Sequence, residues 1–280
     1  MTRFSTCNLS LPSVAFLALM FAAPTAVCAQ SGSFTIAQNG KQVGTATVTF
    51  AANANGYDTT SVVKVSMQGL NYSLSKTEEL TSGNALRHVQ LNAAVNNAAV
   101  TLSAAPSGGQ ILLDVSANGR TMSSKLEGHP AAVFLPDFDP GALDTLLALA
   151  VSHNNRGLWA ILPKKSGTQN GSTVPIQLAT YADEKGTLNG KAITVHHLEA
   201  TIAGSKSELF SGPGNQLLQA ELPQQAFAVV RNGFVLTPPT KAGAPPQRPQ
   251  ASAAAPGQPA PAQQAPAAQA PPQAAPTVQQ

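Results

Sequence analysis

The chain has 280 residues, 43% of them apolar but only 5% aromatic and 10% charged, with two cysteines and a formal net charge of +3. These figures allow one substantial core and exclude a disulfide-dense scaffold. The positive surplus comes from Arg3, Lys241 and Arg248 near the ends. The other thirteen of the sixteen cations face thirteen acids between residues 30 and 237, and no basic cluster is denser than Lys164-Lys165, so a nucleic-acid-binding face is excluded.

Residues 1–29 read as a signal peptide. Arg3 supplies the positive start, "LPSVAFLALMFAA" the apolar run, and Val27 and Ala29 the small residues before a cleavage at Gln30. Thr25 and Val27 fit a lipidation signal at Cys28 poorly. The run is too short for a membrane span, and the mature chain is expected to hold no transmembrane segment. Both cysteines, Cys7 and Cys28, would leave with the signal, so the exported protein depends on its core alone. The expected location is periplasmic or secreted.

From Gln30 the pattern alternates with period two. "SFTIA" and "VGTATVTF" flank Asn39-Gly40, a hairpin signal. In "YDTTSVVKVSM", Tyr57, Thr59, Ser61, Val63, Val65 and Met67 share one face, opposite Asp58, Thr60 and Lys64. Leu70, Tyr72 and Leu74 share a face in the next run, and Ile111, Leu113 and Val115 in a later one. One dry face and one wet face mark an antiparallel sheet. "NANG", "SGN", "PSGG" and "ANGR" separate the runs as in a meander.

The period changes in "VFLPDFDPGALDTLLALAVSHNN", residues 133–155. On a helical wheel Leu143, Leu146, Leu147, Ala150 and Val151 gather on one face, with Asp144, Thr145, Ala148 and Ser152 on the other. Asp139-Pro140 is an N-cap and first-position pair, and Asn154-Asn155 before Gly157 is a stop. The reading is one amphipathic helix of about fifteen residues, its leucine face packed into the concave side of a curved sheet or plugging its open edge. A second run of strands follows to residue 237, for about fourteen strands in all. The fold class is therefore mainly β: a curved antiparallel sheet, half-barrel or open barrel, with one helix inserted mid-chain. Residues 238–280, almost wholly Pro, Ala and Gln, read as a disordered tail.

The segments "FTIAQNGKQVGTATV", "DPGALDTLLAL" and "SKSELFSGPGNQLLQAEL" resemble a group of uncharacterised bacterial periplasmic proteins classed as domains of unknown function. The resemblance covers most of residues 30–237 and leaves out the tail. It implies an antiparallel half-barrel, distantly like periplasmic lipoprotein carriers that hold acyl chains in a concave sheet. It brings no catalytic residues with it.

Candidate chemistry is sparse. Asp137-x-Asp139 has the spacing of a divalent-ion motif, but such motifs serve nucleotide-binding α/β domains, and Asp139 already has a capping role. His196 and His197 are adjacent and so point to opposite faces of a strand; His197 and Glu199 share a face and leave a His-x-Glu metal site open. No hydrolase, metalloprotease, P-loop or dinucleotide motif is present, so no cofactor, resident metal or catalytic residue is expected. The favoured reading is non-enzymatic binding or carriage of a lipid or other apolar or amphipathic ligand, lined by Phe134, Leu135, Phe138, Leu143, Leu146, Leu147 and Trp159. The alternative is an envelope scaffold tethered to a cell-envelope component through the tail, and the third a metal-assisted hydrolase.

Overall fold

A computed structural model describes residues 30–163 and 170–237. The expected signal peptide, the Lys164-Lys165 pair and the expected tail lie outside the described residues. Eight strands open the fold: β1 (Gln30–Gln38), β2 (Lys41–Asn53), β3 (Gly56–Met67), β4 (Leu70–Thr81), β5 (Leu86–Val95), β6 (Ala98–Ser107), β7 (Gln110–Ala117) and β8 (Arg120–Glu127). Each pairs antiparallel with the next. The turns carry the chirality the sequence asks for. Asn39 and Gly40 both have positive φ, 50° and 74°, which matches the right-handed twist of the flanking strands.

A short strand β9 (Ala132–Phe134) and the helix α1 (Pro140–Ser152) interrupt the meander. The second run comprises β10 (Leu158–Leu162), β11 (Ser172–Thr180), β12 (Glu184–Leu188), β13 (Lys191–Ile202) and β14 (Ser205–Ser211). It closes with β15 (Leu217–Leu222), β16 (Phe227–Arg231) and β17 (Phe234–Leu236). The described strands thus number seventeen rather than about fourteen. The excess is partly in pieces of three to five residues, too short to show a period of two.

The pairings run β9–β10–β11–β13–β14–β15–β16–β1 and then through the meander to β8. Among the described residues only β9–β10 is parallel. The sheet is large, curved and open: among the described residues no ladder joins β8 to any strand but β7. β8 reaches across the opening to β11 through isolated bonds, such as Thr173 Oγ1 donating to Glu127 O at 3.0 Å.

The alternation read from the sequence sets the inside. Thr59, Ser61, Val63 and Val65 of β3 are buried and the residues between them exposed. Phe34, Ile36, Val63, Leu74, Ile111 and Leu113 meet the helix in one continuous core, and full burial of each aliphatic side chain contributes about 2 kcal/mol. β13 is covered on both sides. Its second half buries Leu198 and Ala200 in the main core, while Val195 packs outward with Phe210, Leu218 and Phe234 under the β12–β17 pair.

α1 packs against β2, β3, β9 and β15 and fills the concave side. It has thirteen residues, and Asp139 caps it by accepting from Gly141 N at 2.9 Å, with Pro140 at the first position. Asn154 and Asn155, both with positive φ, end it. The expected two-faced wheel needs correction. Leu146, Leu147 and Ala150 are buried, but so are Leu149 and Thr145, whereas Val151 is 58% exposed. A helix enclosed by a curved sheet buries most of its circumference, and the polar residues on it are tolerated because they find partners inside.

Candidate functional site

Three ionisable side chains meet inside the sheet. The dry face of β4 continues past Leu74 to Lys76, Glu78 and Leu80, all buried. Lys76 Nζ lies 3.1 Å from Glu78 Oε2 and 2.8 Å from Asp139 Oδ2, with all three side chains closed to solvent. Thr59 Oγ1 donates to Glu78 Oε2 at 3.1 Å. The Thr145 hydroxyl stands 3.4 Å from that oxygen and 3.1 Å from Gly141 O, and has one proton to offer between them. Burial alone would lower the Lys76 pKa; the carboxylates of Asp139 and Glu78 outweigh it and hold the ammonium above its ordinary value. Ser61 Oγ and Glu78 Oε1 have no hydrogen-bonding protein partner among the described residues. The cluster pins the start of α1 to the sheet wall.

A second tie lies one turn along. Leu217 N donates to Asp144 Oδ1 at 2.6 Å, and Arg231 Nε donates to Leu217 O at 3.0 Å. Burial pushes the Asp144 carboxyl up to about 7, against the opposing effects of the Leu217 amide and Arg231.

Where the chain enters α1, a cleft of about 150 Å3 opens. Leu135, Phe138 and Leu143 form one wall, and Leu162, Ile202, Ala220, Leu222 and Val229 the rest, with Asp137, Ser207 and Gln225 adding polar groups. Phe138 takes φ 59°, a left-handed conformation uncommon for a bulky residue. It is held there by edge contacts with Tyr72 and Phe227, at 5.9 and 4.9 Å between ring centroids. Tyr72 donates to Asp137 O at 3.3 Å. Its phenol is raised above its ordinary pKa by burial and by the carboxylates of Asp137 and Asp139.

The seven residues proposed from sequence divide. Leu135, Phe138 and Leu143 line this cleft. Phe134, Leu146 and Leu147 are buried in the core. Trp159 lies on β10, stacked on His129 with centroids 3.5 Å apart and planes within 3°. His129 itself lines a separate depression of about 360 Å3 at the rim, built from Leu86, Pro106, Gly108, Ile111 and Pro130. The concave side is therefore no open trough for a long acyl chain; α1 and its neighbours occupy it.

The other sequence candidates also separate. Asp139 turns inward to Lys76, while Asp137 is exposed. His196 Nδ1 pairs with Asp183 at 2.8 Å. His197 lies between Glu184, 3.0 Å from Nδ1, and Glu208, 2.7 Å from Nε2, and is stacked between Tyr181 and Phe210. Glu199 shares the His197 face but binds Lys206. The carboxylates sit on opposite sides of the imidazole, so they do not converge with it on one point. Among the described residues no group of three or more His, Cys, Asp or Glu is arranged to hold a metal ion, and no helix is long and apolar enough to cross a membrane.

Lys76 and Glu78 were missed by the sequence reading, although the parity of Leu70, Tyr72 and Leu74 points straight at them. Charged side chains invite assignment to the wet face, and only a partner from a distant segment makes their burial tolerable.

No protein-family model matches the chain, and no curated protein matches it. Among solved structures, the chain is similar to a β-barrel-like protein of domain of unknown function DUF1849 from Brucella abortus. The two share 10% identity at a TM-score of 0.49, over 75% of this chain and 98% of that one.

Proposed function

We propose that this is an exported, non-enzymatic binding protein that holds a small apolar group in the cleft beside Phe138. The observation that supports it is the cleft itself, an aliphatic recess closed on one side by an aromatic residue in an unfavourable backbone conformation. Strain of this kind persists where the surroundings over-determine it and gathers at ligand clamps. A volume of about 150 Å3 suits one ring or an aliphatic chain of roughly six carbons. Larger depressions exist, such as one of about 510 Å3 along Gln42–Thr45 and Lys64–Ser66, but that one lies open on a hairpin surface.

Saturation-transfer NMR with 1-hexanol tests the reading. Transfer is expected with the unaltered protein and should be lost in both Leu143→Trp and Ser207→Phe, which fill the cleft from opposite sides. An unaltered protein that shows no transfer overturns it. Export is tested by expressing the full gene in a bacterial host and sequencing the amino terminus of the product, which should begin at Gln30.

The filled concave side favours a second reading, a scaffold whose residues 238–280 tether it to the cell envelope. Deleting that segment should then release the protein from envelope fractions; unchanged fractionation overturns this.

A further inference from the structure

One strand grips the left-handed residue Phe138 from both flanks. On the dry face of β4, Tyr72 and Lys76 stand on either side of Leu74. The Tyr72 hydroxyl donates to the carbonyl oxygen of Asp137 at 3.3 Å, and Lys76 Nζ lies 2.8 Å from Asp139 Oδ2. Phe138 is the residue between those two partners, and its ring meets that of Tyr72 edge-on. We propose, resting on the cleft-binding reading above, that Tyr72 and Lys76 are positioning residues for the ligand: they hold the Phe138 wall in place and so set the affinity of the cleft.

Neither side chain lines the cleft, whereas Asp137, Phe138 and Asp139 all do, so both act through the segment they hold. A φ of 59° is unfavourable for a bulky residue and persists only where its surroundings over-determine it. The grips fall on the two sides of the bond that matters. Rotation about φ of Phe138 turns the peptide group that contains the Asp137 carbonyl against the residues that follow. Tyr72 holds that peptide group. On the other side Asp139 is fixed twice, its Oδ2 by Lys76 and its Oδ1 by the Gly141 amide at the start of α1. The Phe227 ring adds a further contact to Phe138, at 4.9 Å between centroids. Both grips keep their protons. Burial and the carboxylates of Asp137 and Asp139 raise the Tyr72 phenol, which stays a donor. Burial alone would lower the Lys76 ammonium, but Asp139 and Glu78 raise it overall, and it stays charged.

The test uses the purified full chain at neutral pH, with 1-hexanol titrations for affinity and the NMR scalar couplings of residue 138 for φ. Tyr72→Phe removes the hydroxyl and leaves the ring against Phe138. Lys76→Met combined with Glu78→Leu and Asp139→Asn removes the second grip, strands no buried charge and keeps a capping side chain. Each variant should weaken 1-hexanol binding roughly threefold, as expected for the loss of one hydrogen bond, and should move the couplings away from those of a positive φ. Ile111→Val, a change in the buried core outside the cleft, should alter neither. Unchanged affinity or unchanged couplings in either grip variant overturns the positioning role while leaving the cleft as an apolar site. The same loss of affinity in Ile111→Val also overturns it, because any loosening of the core would then suffice. An unaltered protein that binds no 1-hexanol overturns the cleft reading and the positioning role together.

Discussion

Lys76 Nζ and Asp139 Oδ2 lie 2.8 Å apart with neither side chain open to solvent, joining strand β4 to the cap of the helix across more than sixty residues of chain. One cation there faces two carboxylates, and each depends on the others for its solvation.

Lys76→Met should consequently destabilise the fold by about 3–5 kcal/mol, since it strands Glu78 and Asp139 together in the interior. Replacing all three members, as Lys76→Met with Glu78→Leu and Asp139→Asn, should cost much less, because asparagine keeps the cap and no buried charge remains. Denaturant unfolding of the two variants compares these costs. A single variant close to wild type would show that the pair does not hold α1 in place.

Asp144 makes stability depend on pH. Its carboxyl is raised from an ordinary 3.8 to about 7 in the folded chain. Between those values the folded state keeps a proton that the unfolded chain releases, so the contribution is fully present below about 4 and is lost as pH rises through 7. Urea unfolding followed from acid to neutral pH should show this loss, and Asp144→Asn should flatten it. An unchanged slope in the variant would remove Asp144 as the cause.

Gly141 is pressed against β3. A Cβ added there would run into Ser61 Oγ, so Gly141→Ala should cost about 1–3 kcal/mol of overpacking despite a gain of up to about 1 kcal/mol in helix propensity. Ser61→Ala alone should be neutral or slightly stabilising, since that hydroxyl has no hydrogen-bonding protein partner among the described residues. In the double variant the cost of Gly141→Ala should largely disappear, a coupling above about 0.5 kcal/mol. Additive costs would show that the hydroxyl is not the obstacle.

Phe138 offers a test of backbone strain. Both Phe138→Ala and Phe138→Gly lose the ring contacts with Tyr72 and Phe227, at a cost on the order of 3 kcal/mol. Only glycine accepts φ 59° without penalty, so the glycine variant should be more stable than the alanine variant by about 1 kcal/mol. Thermal unfolding of the two reads the order directly, and the reverse order would mean the segment relaxes once the ring is gone.

The turn at Asn39-Gly40, the parity of β3 and the cap at Asp139 were all legible from the sequence, because each depends on neighbours within a few residues. Alternation places a side chain inside or outside without reference to the rest of the chain, and a cap needs only its own first turn. The burial of Lys76, Glu78 and Thr145, and the partial burial of Asp144, was not legible. Parity and the wheel give direction, whereas tolerance of a charge in the interior depends on what arrives opposite it from sixty or seventy residues away. The cleft shows the same division. Residues 133–155 marked Leu135, Phe138 and Leu143 as apolar, but Phe134, Leu146 and Leu147 carry the same signature and pack into the core instead. Local sequence thus determined that this chain would form an antiparallel sheet with one capped helix. Only the closing of that sheet around the helix decided which apolar residues were left facing a gap, because a cavity belongs to no single segment and exists only where several fail to meet.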